Sequence, residues 1–206
     1  MDEDFALPSD VAFTPTVKAL QERHGSRLAY ARLAAAGDWQ VSATADIVAF
    51  LAEVRTLFVA TCNAQGFPYA QHRGGPKGFL KVLGPRTVGF ADFGGNRQYI
   101  TQGNLLDNPR AFLFLIDYAR QRRVKLWGHA RMIEDDPALL ELLTPENSRD
   151  RPERAFVFDI LAWDANCPRH IPMLMDPETV SEAIASRDAR IAALEARLRQ
   201  SEAASE

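Results

Sequence analysis

Residues 88–118 read VGFADFGGNRQYITQGNLLDNPRAFLFLIDY. An apolar, aromatic run stops at two glycines, a short polar stretch follows, and a second apolar run begins after Asn108-Pro109. Proline disfavours helical backbone in the residue before it, so the helix predicted over 97–108 ends there. The reading is therefore strand (87–93), glycine loop, helix, strand (111–118).

Working outward, the same alternation recurs on both sides. GFLKVL (78–83) and TVGFADF (87–93) form a hairpin about Gly84 and Pro85. TLFVATC (56–62) and YAQHR (69–73) form another about the turn cluster NAQGFP. RVKLWGHARMIE (123–134) and RAFVFDILAWDA (154–165) add two strands, with DPALLELL as a short helix between them, Asp136 its cap and Pro137 its first residue. The first quarter is helical: Thr14 caps PTVKALQERH, Ser26 caps RLAYARLAAA, and Gly25 and Gly37 stop these helices. In TADIVAFLAEVR, residues Ile47, Phe50, Leu51 and Val54 fall on one face. The end of the chain, from Asp176, is a long polar alanine-rich helix. The expected fold is mainly β with flanking helices (α+β), an antiparallel barrel or closed sheet with helices outside it.

The chain has 206 residues, 47% hydrophobic and 25% charged, with a formal net charge of -3. This balance speaks against nucleic acid as a partner, the local cluster RQRRVK (120–125) notwithstanding. No apolar run is long enough to span a bilayer, and MDEDFALPSD lacks the basic flank and apolar core of a secretory signal. A cytoplasmic protein without membrane contact is expected. Cys62 and Cys167 lie far apart, and reduced thiols are the default in that compartment.

Three stretches can carry chemistry. In GGNRQ (94–98), glycines permit close approach, and the helix start expected here offers free N–H groups and partial positive charge to an anion. Asn96, Arg97 and Gln98 would add donors; the alternative is a plain cap and a solvated cation. In HRGGPKGFLKV (72–82), Arg73 and Lys77 bracket glycines, and Lys77, Phe79 and Lys81 share one face if the strand alternates. Lys81 either snorkels at the barrel edge or lines a pocket for an anion or an electron-rich ring. In RVKLWGHARM, Arg123, Lys125, Trp127 and His129 share a face opposite Val124, Leu126 and Gly128, as a solvated strand face would. His24, His72, His129 and His170 have no metal-ligand spacing. Cys62 reads as core; Cys167, beside Arg169 and His170, reads as packing in a loop.

From about Ile47 to Pro172 the sequence resembles the pyridoxamine 5'-phosphate oxidase-related FMN-binding split-barrel proteins. The carriers are LFVATCNAQGFPYAQHRGGPKGFLKVL, VGFADFGGNRQYITQGNLLDNPRAFLFLIDY, RVKLWGHARMIEDDP and NCPRHIP, in the family's order. The resemblance implies a split barrel over 47–172, a helical extension before it (1–46) and a C-terminal helix after it (173–206). It implies a homodimer with FMN at the subunit interface and a small-molecule substrate. The implied phosphate ligands are Asn96, Arg97 and Gln98. The segment Lys77, Gly78, Phe79 and Lys81 would run beside the ring and ribityl chain, with Arg73, Ala91 and Asp92 near the same cofactor. Arg123 and Lys125 would reach it from the other subunit, and Trp127 and Trp163 would cover the ring. The family's oxidases carry Arg-x-His near the C-terminus, whereas Arg169 and His170 are adjacent here, so the pyridoxal substrate does not carry over. The implied activity is FMN-dependent oxidation and reduction by hydride transfer at N5. The alternatives are a flavin- or haem-binding carrier or sensor and a barrel that has lost its cofactor. A deazaflavin could take the place of FMN.

Overall fold

The computed structural model describes residues 5–146, 148–166, 169–175 and 177–203. Two compact units are present: Met1–Ile116 with Arg123–Cys167, and Asp117–Arg122 with Pro168–Glu206. In the first unit, helices α1 (Pro15–Arg23), α2 (Arg27–Ala35) and α3 (Ala45–Glu53) precede the strands β1 (Thr56–Cys62), β2 (Pro68–Gly74), β3 (Lys81–Gly84) and β4 (Thr87–Phe93). Helix α4 (Ile100–Asp107) follows, then β5 (Arg110–Asp117), β6 (Arg122–Ile133), α5 (Pro137–Leu143) and β7 (Pro152–Asn166). The second unit carries α6 (Pro177–Ala203).

The seven strands form one antiparallel sheet in the order β2-β1-β5-β6-β7-β4-β3. It does not close on itself, since β2 and β3 are both edges. This is the open form of the expected barrel, a split barrel with helices around it. Alternation decides what faces inward. On β6, Val124, Leu126, Gly128 and Ala130 are buried, while Arg123, Lys125, Trp127 and His129 are half-buried. The core joins Ile47, Phe50, Leu51 and Val54 of the α3 face to inward residues of the strands, including Leu57, Leu113, Leu126 and Phe158. Phe90 and Phe156 stack there at 4.6 Å. Burying a side chain of this size contributes roughly 1.5–3 kcal/mol.

Strand β4 is buried on both faces. Val88 and Phe90 enter the main core, whereas Ala91 joins Leu143, Ala155 and Val157 beneath α5. Asp136 caps α5 as expected, accepting from the Leu139 N–H at 2.9 Å. Gly128 sits where the β6–β7 register shifts, and a Cβ there would lie 2.0 Å from the Asp159 carbonyl oxygen. Only glycine lets the two strands stay paired at that bulge.

Several local expectations fail. Ser26 precedes α2 but makes no side-chain cap bond; its hydroxyl donates back to the Gln21 carbonyl at 3.5 Å. The strand expected from Gly78 begins at Lys81, because residues 76–79 turn tightly. The Phe79 N–H donates to the Pro76 carbonyl at 3.0 Å, and Gly78 has φ of 78°. Phe79 and Leu80 are consequently both buried, so Lys77, Phe79 and Lys81 do not alternate on one strand face. The helix expected from Arg97 begins at Ile100, because Arg97 (φ 57°) and Tyr99 (φ 54°) are left-handed and end any helical run on that side.

Candidate functional site

The split in the sheet positions the site. The inward face of edge strand β2 presents Tyr69, Gln71 and Arg73, which pair in register with Thr61, Val59 and Leu57 of β1. Across the opening stands Asp92, near the end of β4. Arg73 Nε meets Asp92 Oδ1 at 3.0 Å, so one ion pair bridges the seam that backbone hydrogen bonds leave open. Helix α4 plugs one end. Its Asn104 amide donates to Thr61 Oγ1 at 2.9 Å and its Thr101 hydroxyl to Gln71 Oε1 at 2.8 Å.

Above the bridge lies a cleft of about 220 Å³, walled by Tyr69, Gln71, Arg73, Asp92, the loop from Gly95 to Tyr99, the first turn of α4, Met132, Glu153 and Arg154. A second cavity of about 200 Å³ shares Arg73, Asp92 and Phe93 with it. Its other walls are mostly apolar or glycine: Gly74, Gly75, Pro76, Phe79, Phe90 and Ala91, with His72 and Pro145. Jointly the two reach the size range of cofactor pockets, roughly 300–1,000 Å³.

The cations of the cleft differ in how far they are committed. Arg154 is 7% exposed and central: it pairs with Glu153, donates to Gln102 Oε1, lies 3.7 Å from Asp92 Oδ2 and stacks over the Tyr99 ring at 5.3 Å. Its Nε has no hydrogen-bond partner. Burial depresses its pKa, but the Glu153 bond and the charges of Asp92, Glu153 and Glu134 outweigh this and raise it. Burial raises the Asp92 carboxyl above the ordinary carboxylate range, against the pull of Arg73 and Arg154. Arg97 is different. It is exposed on the cleft wall and has no hydrogen bond or ion pair to any described residue.

The loop geometry serves that free guanidinium. Asn96 does not cap α4; its Oδ1 accepts from the Gln98 N–H at 3.2 Å, an Asx turn that leaves the Asn96 amide N–H₂ free of this bond. Tyr99, not Asn96, is the residue before the helix, and it has no side-chain cap bond. The first N–H groups of α4 thus have no cap from it and border the cleft. A turn of this kind, with adjacent main-chain donors, an amide and a guanidinium, is chemically suited to a phosphate monoester. The residues present therefore fit the phosphate of a flavin mononucleotide.

Of the residues singled out in the sequence, Arg73, Asp92, Asn96, Arg97 and Gln98 come together in this cleft, and Phe79 and Ala91 line the adjoining cavity. The others lie elsewhere. Lys77 pairs with Glu53 at 2.9 Å, and Gly78 is a turn residue. Lys81 Nζ donates to the Leu142 carbonyl at 2.7 Å, holding the end of α5. Lys125 lies 3.6 Å from Asp164, and Trp127 packs against Trp39 (4.8 Å) and Phe112 (4.9 Å). Arg123 is half-buried on the same strand. Trp163 is buried and donates from Nε1 to the Ser42 carbonyl at 2.8 Å. Cys167 lies outside the described residues. Sequence reasoning missed Arg154, Glu153, Gln71 and Gln102, which reach the cleft from other strands and from α4; only the register of β7 with β4, Asp92 opposite Arg154, reveals the first.

Among the described residues no cluster of His, Cys, Asp and Glu could hold a metal ion, and no helix is long and apolar enough to cross a membrane. No curated protein matches the sequence. Among solved structures, HupZ of Group A Streptococcus is 18% identical, with 57% of this chain and 89% of that one covered and a TM-score of 0.45. An FMN-binding protein from Syntrophomonas wolfei is 10% identical, with 74% and 97% covered and a TM-score of 0.45. A pyridoxinephosphate oxidase family protein from Clostridium acetobutylicum is 15% identical, with 61% and 88% covered and a TM-score of 0.41. Likenesses at this level say nothing of ligand or activity. The family model described as pyridoxamine 5'-phosphate oxidase, by contrast, matches residues 43–167, which span all seven strands and the cleft. The chain belongs to the pyridoxamine 5'-phosphate oxidase family.

Proposed function

We propose that the protein is an FMN-dependent oxidoreductase acting on a small molecule. The observation that carries this reading is the uncommitted guanidinium of Arg97, set in a left-handed loop beside the Asn96 and Gln98 amides and the open start of α4. These groups would hold the phosphate. The Tyr69 and Gln71 side chains offer polar partners to the ribityl hydroxyls. The more apolar cavity beyond the Arg73–Asp92 bridge offers apolar walls, Phe79, Phe90 and Pro76 among them, to the ring. When bound, FMN supplies hydride acceptance and donation at N5, and the chain supplies position and electrostatics. The Arg73 guanidinium, at the junction of the two cavities and paired with Asp92, would offer a remaining N–H donor to the polar edge of the ring.

The reading includes a homodimer with the cofactor at the interface. Its support is the outer face of β1 and β5, where Phe58 stands opposite Phe114 and Ala60 opposite Phe112. Phe58 is 38% exposed, with its ring against His72 at 5.6 Å. An apolar sheet face of this kind suits a second copy of the same chain.

The test is direct. The purified protein, loaded with FMN and desalted, retains a yellow flavin band, and anaerobic NADPH or NADH bleaches it. A retained flavin that neither nucleotide reduces would instead favour a carrier or sensor; failure to retain FMN would contradict the reading altogether.

A further inference from the structure

The second unit carries a pattern that the flavin site does not use. In α6, Val180, Ile184, Ile191, Leu194 and Leu198 are all 40% or more exposed. With Arg187 they occupy positions 180, 184, 187, 191, 194 and 198, alternate spacings of four and three. That is a heptad repeat with Ile184, Ile191 and Leu198 at a and Val180, Arg187 and Leu194 at d. Amphipathic helices this polar need a partner for their apolar seam, because propensity alone leaves them marginal.

The flanking charges name the partner. The e positions hold Asp188 and Glu195; the g positions hold Arg190 and Arg197. In a parallel pair, g faces e of the next heptad on the other strand, so Arg190 meets Glu195 of a second copy, and the reverse contact follows by symmetry. In an antiparallel pair, e faces e and g faces g, setting acid against acid and arginine against arginine. Ile at two of the a positions with Leu194 at d favours two strands. Arg187 is the one cation within the seam; its Nε and Nη2 donate to Asp188 Oδ1 at 3.1 and 2.9 Å, which neutralises it beside the interface. A polar residue at one core position fixes register at a cost in stability.

We infer that α6 pairs with α6 of a second copy as a parallel, in-register two-stranded coiled coil. The inference does not depend on the flavin reading. It is tested by disulfide trapping in the full chain, with Cys62 and Cys167 replaced by alanine. Leu194→Cys in that background is expected to form a 194–194 disulfide under mild oxidation. Ala192→Cys, at the outward b position, serves as the collision control and is expected to cross-link at least tenfold more slowly. Arg190→Glu in the Leu194→Cys chain should slow trapping about five- to tenfold through two like-charge contacts, and adding Glu195→Arg should restore it. A 194–194 yield no higher than the control would overturn the inference. So would efficient trapping between a chain bearing Val180→Cys (d) and one bearing Leu198→Cys (a), which requires antiparallel helices. Circular dichroism of each variant confirms that the helix is intact.

Discussion

Two stretches of this protein carry cations and aromatics, and the structure treats them oppositely. In the loop from Gly94 to Tyr99, Arg97 has no partner among the described residues and faces a cleft. On β6, Lys125 is held near Asp164 and lies 5.8 Å from the Trp127 ring, itself wedged between Trp39 and Phe112. Met132 of the same strand reaches the cleft, but Lys125 is seven residues back, about 23 Å at the rise of a strand, so within its own chain it does not border this cleft. A residue-type pattern can announce a charged face; only the fold tells whether its charges are already matched. The match on β6 is not complete, since the buried Arg123 Nε has no hydrogen-bond partner, but in the cleft binding capacity lies with the cation that folding leaves uncompensated.

The comparison can be broken at several points, and the largest effect belongs to neither stretch. Arg154 is the buried post on which the cleft is built, touching Glu153, Gln102, Asp92 and Tyr99. Arg154→Ala removes a buried guanidinium together with its contacts to Glu153, Gln102 and Asp92, and is expected to cost about 2–3 kcal/mol of stability, read from urea unfolding. An unfolding midpoint equal to wild type would mean that the network does not hold the loop.

Next comes Arg97→Ala. Because Arg97 is exposed and unpaired, stability should stay within about 0.5 kcal/mol of wild type. Flavin mononucleotide affinity should fall by about 1.5–3 kcal/mol, the worth of a hydrogen bond to a charged group. Separating these two readouts distinguishes a ligand-holding residue from a structural one.

Asp92→Asn should act in the other direction. It removes a negative charge from the cleft and releases Arg73, so FMN affinity is expected to rise about threefold in a titration. Its effect on stability has a definite sign with pH. The native carboxyl keeps its proton to a higher pH than the unfolded one. Between those two pKa values folding takes up a proton, so this group favours the native state increasingly as pH falls from neutral towards the ordinary carboxylate range, and no further below it. The stability of Asp92→Asn relative to wild type should therefore improve as pH rises through that window. The opposite slope would show that the ion pairs, not burial, dominate.

The smallest effect belongs to β6. Lys125→Ala should cost no more than about 1 kcal/mol of stability. It should leave FMN affinity within twofold. A large loss of affinity would mean that the strand reaches a cofactor after all and would erase the contrast.

How much of this was legible beforehand differs by level. Strand positions follow from alternation and from turn residues, and the α3 face and the Asp136 cap follow from local rules that tertiary structure did not override. The misreadings at the two loops have a common cause. Residues 76–79 and 96–99 adopt turns with positive φ at Gly78, Arg97 and Tyr99, and nothing in the residue types Arg and Tyr signals a left-handed backbone. The loop's donors were readable because glycine, asparagine and arginine together are unusual before a helix. Arg154 was not, since it reaches the cleft only through the pairing of β7 with β4, a contact between residues far apart in the chain.

The central claim is that the seam cleft recognises a phosphate through Arg97, and one paired titration tests it most directly: FMN and riboflavin, each against wild type and Arg97→Ala, followed by quenching of flavin fluorescence. The account predicts that wild type prefers FMN to riboflavin by roughly 10- to 150-fold and that Arg97→Ala loses most of that preference while binding riboflavin as before. Equal affinity for the two flavins in wild type, or a preference that survives the loss of Arg97, would contradict it.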